Sequence, residues 1–402
     1  LPIGLESAMT IPVLSTSPTK VAAMPSPLRT TVAALCAVLV GLGLARFAFS
    51  PLVPALVSHH WFSAPQAAYL GSANFAGYLT GALLAQAMAA RFSQANLMRA
   101  MMVLAGVSFI ACCQPAPFLW FALWRCAAGI SGGLIMVLSA TLALHHVPAD
   151  RRGLAGGAIF AGVGFGVIIA ALVVPRLIAI DLSLAWEVVG ILCLALATLT
   201  WRSWPPDPAG ERTTGRPPIH RAVLILFAVY ALNAIGLVPH TLFLVDRAAR
   251  ELGYGLAAGA GLWVLFGLGA VVGPLAAGRA GDRWGFRPVL LVMLALQAVF
   301  VGLAWLSGTL WVLACSALVI GGCTPGIAPV VLGRVRELIR NDPGGQRAVW
   351  SFATSVFAIG QAGGAFALSG VLGAIGHYPP LFGIGAATLL LAFLLTLMRT
   401  AP

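Results

Sequence analysis

Two arginines stand inside long apolar runs, and their chemistry makes them the first candidates for function. Arg46 lies about fifteen residues into a run that opens near Thr31, and Arg125 about eight residues into a run that travels the opposite way, so at about 1.5 Å of rise per residue both reach a similar depth. A lone charge at such depth costs several kcal/mol unless it faces a partner or water. Glu187, at the edge of a later run, is the carboxylate that comes nearest to a run interior. Two guanidiniums with so little buried acid would take their negative charge from a solute, and their planar fork suits a carboxylate or phosphate. The competing structural reading ties them to backbone carbonyls or helix ends. His240 is the best proton carrier, because imidazole titrates near neutrality, and Glu187 is the second. Asn74, Asn233, Thr324 and Gln361 are further polar groups in apolar runs, suited to binding a solute or to joining helix to helix.

A second constellation is Gly278-Arg279-Ala280-Gly281-Asp282-Arg283-Trp284-Gly285-Phe286-Arg287, a charged hinge between apolar runs over 256–277 and 288–306. Its acid and bases at a membrane surface are suited to latching helix ends together. Asp282 can accept from Arg283 or Arg287, or cap the start of the run that follows, where the helix dipole favours an anion.

The elements that must position these residues follow from composition. The 402 residues are 60% hydrophobic and 8% charged, whereas a soluble domain carries about 25% charge. A helical span takes roughly 20 apolar residues, and the chain reads as spans at 31–57, 66–90, 97–114, 117–144, 153–177, 184–202, 222–245, 256–277, 288–306, 309–333, 347–375 and 380–398. The expected organisation is a disordered cytoplasmic lead-in over 1–30, a six-helix half over 31–204, a polar, Pro-rich linker over 205–221 and a second six-helix half over 222–402.

Outside the spans, about eighteen basic residues fall on the side of the N-terminus, against Arg176, Arg247 and Arg250 on the other, which by the positive-inside rule puts both termini in the cytoplasm. The expected location is a bacterial inner membrane, crossed many times. A displacement of 192 residues carries Asp150 to Asp342, Gly153 to Gly345, Gly129 to Gly321 and Arg91 to Arg283. One register thus joins separate regions without gaps, and it reads as an internal duplication. The same displacement sets Ala90 against Asp282 and Ser93 against Gly285, so the first copy of the hinge lacks its acid.

Gly278-x-x-x-Asp282-Arg283-x-Gly285-x-Arg287 resembles the cytoplasmic signature loop of the major facilitator superfamily of secondary transporters. Arg125-x-x-x-Gly129 resembles the arginine motif of the fourth span in that superfamily. The stretch Gly43-Leu44-Ala45-Arg46-Phe47-Ala48-Phe49-Ser50-Pro51-Leu52-Val53-Pro54 resembles the first span of its YbfB/YjiJ branch. The resemblance implies an all-α integral membrane fold of twelve helices in two pseudo-symmetric halves, with spans one, four, seven and ten lining a central cavity. It also implies that Gly278, Asp282, Arg283, Gly285 and Arg287 form a conformational latch, holding the cytoplasmic side closed while the cavity opens outward. Gly162-Val163-Gly164-Phe165-Gly166 in the fifth span lacks the proline of the antiporter motif, which speaks against drug efflux.

The leading expectation is therefore alternating-access transport of a small organic anion, with protons as the candidate coupling ion. The substrate-binding set is Arg46, Arg125, Asn74, Asn233, His240, Thr324 and Gln361. The first alternative is proton-driven efflux of hydrophobic or cationic compounds, which would call for a carboxylate in a cavity helix. Another is a non-transporting membrane receptor. Enzymatic activity is not expected, since no acid–base cluster survives. The cysteines Cys36, Cys112, Cys113, Cys126, Cys193, Cys315 and Cys323 lack metal-site spacing, so no metal and no cofactor are expected. The partners are the small-molecule substrate and the lipid bilayer, with no obligate protein partner. The net charge of +12 lies in alternate gaps between spans, which argues against nucleic acid.

Overall fold

The structure, a computed structural model, describes residues 26–145, 147–206 and 219–398. Most of the lead-in and most of the expected linker lie outside these residues. Twelve helical segments run through the described chain, and no strand is found among those residues. Ten pass as membrane spans by length and apolarity.

The first segment, α1, is built of Pro27–Val38, a π-helical stretch Leu39–Leu44, Ala45–Phe47 and Phe49–Ser58. There follow α2 (Ala64–Arg91), α3 (Gln94–Ile110), α4 (Phe118–Leu144), α5 (Arg152–Leu172, continued by Val174–Ile178) and α6 (Leu182–Thr200). The seventh, α7, combines Arg221–Gly236, a π-helical Pro239–Phe243, Leu244–Asp246 and a π-helical Arg247–Glu251. The last five are α8 (Gly255–Trp284), α9 (Phe286–Leu306), α10 (Leu310–Leu338), α11 (Pro343–Ile375) and α12 (Pro379–Leu397).

Helix starts carry the capping chemistry that the sequence offers. Ser63 and Gln66 form a reciprocal capping box on α2, satisfying amides that a helix start leaves open. Asp181 caps α6 through Leu184 N at 3.1 Å, and Asp342 caps α11 through Gly345 N at 2.8 Å. Pro274 in α8 and Pro325 and Pro329 in α10 lie within helices that run on through them.

The 192-residue displacement reappears as packing. A Cβ on Gly77 would come within 2.0 Å of Cys126 O, and one on Gly269 within 2.0 Å of Leu318 O. A Cβ on Gly81 would lie 2.2 Å from Ile130 O and one on Gly273 2.2 Å from Gly322 O; one on Gly129 would lie 2.1 Å from Asn74 O and one on Gly321 2.1 Å from Phe266 O. Each second contact is the first moved by the displacement between Asp150 and Asp342. The α2–α4 crossing and the α8–α10 crossing are therefore copies, held by backbones too close for side chains.

Between the two halves, α5 lies along α8. A Cβ on Gly278 would meet Gly153 O at 2.0 Å, and one on Gly157 would meet Pro274 O at 2.1 Å. Farther along the same pair, a Cβ on Gly164 would lie 2.4 Å from Ala270 C. On the opposite flank α2 meets α11, where Gln86 Nε2 donates to Arg347 O at 3.1 Å and Ser351 Oγ to Ala82 O at 3.1 Å. Trp350, fully buried, meets Phe160 across the interface with ring centroids 6.3 Å apart.

Three local expectations are corrected. The hinge 278–287 is mostly helix: α8 continues to Trp284, and Gly285 alone breaks it at φ +85°, a conformation that favours glycine. Asp282 does not take its bonds from Arg283 or Arg287, nor does it cap α9. Its Oδ1 and Oδ2 accept from Gly153 N at 2.7 Å and Leu154 N at 2.8 Å, at the start of α5 in the other half. The α9 start is capped instead by Glu337, which accepts from Phe286 N at 2.8 Å. Finally Arg247, expected in an external segment, is 3% exposed, because α7 continues to Glu251.

Candidate functional site

Arg46 follows directly on the π-helical stretch of α1, a helix irregularity often found at functional sites. Its guanidinium carbon stands 4.7 Å from the Phe75 ring centroid, 5.3 Å from Phe47 and 6.0 Å from Tyr78. These rings attract a cation electrostatically without neutralising it. Its Nη2 donates to Gln361 Oε1 of α11 at 2.5 Å, so its hydrogen-bond partner is a neutral amide from the other half. Among the described residues it has no ion pair. Arg46 is half-buried.

The second half also supplies Trp263 of α8. Its ring centroid is 6.1 Å from Phe47, and it stacks on Phe266 at 4.8 Å. Its buried Nε1 has no hydrogen-bond partner, leaving an unpaired donor on the ring that packs against Phe47. Beneath lies Trp350, eleven residues earlier on α11 than Gln361, or about 16 Å of helix rise. The Arg46 site thus stands beyond the Trp350–Phe160 contact, on the side away from Asp282.

Arg125 converges on the same part of α1 from α4. Its guanidinium carbon lies 4.2 Å from the Phe49 ring centroid, and Phe49 is three residues from Arg46, about one helical turn. Arg125 is 2% exposed, its Nε has no partner, and it too lacks an ion pair among the described residues. Asn74 Nδ2 donates to Arg125 O at 3.1 Å, while the adjacent Phe75 lies against Arg46. The α1 turn 46–49 and the α2 turn 74–78 therefore join the two arginines.

Other expected site residues lie elsewhere. Asn233 donates to Gln297 of α9, and His240 Nε2 shares a hydrogen bond of 2.6 Å with Ser316 Oγ of α10. Both Asn233 and His240 are fully buried in the second half, and His240 Nδ1 has no partner. Thr324 Oγ1 bonds its own helix at Ile320 O, 2.7 Å away. Glu187 is half-buried near the start of α6. Sequence reasoning overlooked Phe75 and Tyr78; their spacing of three along α2 was the available sign of a shared face.

At the basic end, Asp282 holds α5 as described. Arg287 Nη2 donates to Thr396 O at 3.1 Å and Leu397 O at 3.2 Å, while Arg283 lies 5.8 Å from the Trp284 ring centroid. In the duplicated position, Ala90 offers no carboxylate, and the α11 start is capped by its own Asp342. Among the described residues no group of three or more His, Cys, Asp or Glu could hold a metal.

A family model described as "Uncharacterised MFS-type transporter YbfB" matches residues 38–397. A chloramphenicol resistance protein of Streptomyces lividans is 26% identical over 395 residues, covering 92% of this chain and 96% of the relative. A probable transporter of Streptomyces coelicolor is 27% identical over 374 residues, covering 88% and 83%. Among solved structures, the proton:xylose symporter XylE bound to 6-bromo-6-deoxy-D-glucose aligns with a TM-score of 0.74 at 16% identity, covering 92% of this chain and 94% of that one. The human organic anion transporter MFSD10 aligns with a TM-score of 0.76 at 16% identity, covering 92% and 100%. These likenesses carry the twelve-helix fold. With the family match over nearly all of the chain, they establish that this protein belongs to the YbfB-like family of major facilitator superfamily transporters.

Proposed function

We propose that this transporter moves a small organic anion by alternating access, bound between the halves at Arg46. The observation that carries the reading is the Arg46 guanidinium, packed on aromatic rings and answered by the neutral amide of Gln361. A carboxylate entering there would replace a neutral partner with a charged one, and charge-assisted bonds are about twice as strong as neutral ones. Arg125 adds positive potential from behind Phe49, and the Trp263 N–H offers a neutral donor. In the orientation favoured by the basic residues, the Asp282 end faces the cytoplasm of a bacterial inner membrane. The Asp282 bonds to α5 would then help to hold that side closed. Proton coupling is assigned to His240, through the ring nitrogen that lacks a partner.

The test is transport by purified protein in proteoliposomes, offered labelled monocarboxylates, dicarboxylates, organic cations and neutral compounds. Carboxylate movement that is lost in Arg46→Ala supports the proposal. Movement of cations or neutral compounds alone would overturn it.

A second reading, export of hydrophobic or cationic compounds, is favoured by the likeness to the chloramphenicol resistance protein. It would call for a carboxylate facing the central site. Among the described residues no contact places the half-buried Glu187 at Arg46.

A further inference from the structure

At the basic end a cavity opens between the halves, with a volume of about 570 Å³, a size typical of small-ligand sites. Arg152 at the start of α5 lines one wall, while Arg336 at the end of α10, Arg340 and Arg347 line the other. Its remaining lining residues include no Asp or Glu.

The nearby acids do not line the cavity, and Asp282 alone offsets part of the Arg336 charge. Asp282 gives both oxygens to the Gly153 and Leu154 amides, and Asp342 caps Gly345. Glu337 is divided between Arg334 at 2.9 Å and Phe286 N at 2.8 Å. Arg152 Nε bonds Val147 O at 2.9 Å, which leaves its charge uncompensated. Among the described residues, Arg152, Arg336 and Arg340 have no ion pair. Arg152 and Arg336, on opposite walls, repel each other, and the repulsion favours separation of the halves.

We propose that this cavity binds a phosphate-bearing anion that bridges Arg152 to Arg336 and Arg340. One carboxylate would offset a single charge, whereas a phosphate group with two negative charges and several acceptor oxygens engages guanidiniums from both walls. Because the walls belong to opposite halves, the bound anion adds to the Asp282 contact and slows opening at this end. The site is separate from Arg46 and does not depend on what the central site carries.

The test uses the full chain in phosphatidylcholine nanodiscs and follows thermal unfolding as inorganic pyrophosphate is added, against potassium chloride of matched ionic strength. A parallel arm replaces part of the phosphatidylcholine with phosphatidylglycerol. Saturable stabilisation by pyrophosphate, weakened about tenfold or more in Arg336→Gln/Arg340→Gln and kept in Arg46→Ala, supports the site and a soluble ligand. Stabilisation by phosphatidylglycerol alone, lost in the same double variant, supports the site with a lipid headgroup as its source. If the double variant fails to fold, Arg340→Gln alone, at an exposed position, must weaken the response. No response in either arm, or one unchanged by the arginine variants, overturns the proposal. So does a pyrophosphate response abolished by Arg46→Ala, which would place the anion in the central site.

Discussion

Arg46 and Gln361, 315 residues apart and in opposite halves, meet through a hydrogen bond of 2.5 Å. The bond couples the charged group of the central site to the relative position of the halves. Gln361→Ala removes the amide and leaves the charge, so it is expected to weaken anion binding less than Arg46→Ala. Arg46→Lys keeps a point charge but loses the planar fork, and should fall between them. Equilibrium binding of a transported carboxylate to the three variants gives this order or refutes it.

Asp282→Asn removes a negative charge from the start of α5 and one of two acceptors for its amides. An anion at a helix start is worth about 0.3–1 kcal/mol when exposed and up to about 2 in a partly buried setting. Hydrogen exchange at Gly153 and Leu154 is therefore expected to quicken by up to about thirtyfold. Unchanged exchange would show that the carboxylate does not hold this helix end.

Gly278→Val puts a side chain where a Cβ alone would lie 2.0 Å from Gly153 O. Overpacking of this kind costs about 1–3 kcal/mol. A clearly lowered melting temperature is expected, while Gly370→Ala, where a Cβ meets nothing within 4 Å, should leave it nearly unchanged.

At the opposite end, the Tyr378 hydroxyl donates to the Asp246 carboxylate, tying the α11–α12 connection to α7. Burial, and then the bond to this carboxylate, pushes the Tyr378 phenol up to about 12 from an ordinary value of about 10. Because the folded state favours the protonated phenol, its contribution is fully present below about pH 10 and is lost as pH rises through about 12. Tyr378→Phe should lose stability at neutral pH and flatten the alkaline fall. An identical alkaline profile in the variant would contradict this assignment.

The spans and the duplication were legible because apolar run length and a constant displacement are properties of the sequence itself. The acid of the hinge was legible too, but its partner was not. Asp282 reaches Gly153 and Leu154, which lie 129 and 128 positions earlier, and local spacing pointed to Arg283 and Arg287 instead. Arg247 was misplaced because a basic residue after an apolar run reads as a loop charge. In the structure its guanidinium donates to Ala304 O, pairs with Glu251 at 3.4 Å and lies 4.9 Å from the Phe382 ring centroid. Arg46 was found from its depth alone, whereas its setting needed the packing of α1, α2 and α11. The π-helical turns at Leu39–Leu44 and Pro239–Phe243 left no pattern in the sequence reading.

The most direct measurement is thermal unfolding of the purified protein in the presence of organic anions, organic cations and neutral compounds, repeated on Arg46→Ala. The account predicts that carboxylates raise the melting temperature of the native protein and that the rise disappears in Arg46→Ala. Stabilisation by cations or neutral compounds alone, unaffected by Arg46→Ala, would contradict an anion site at Arg46.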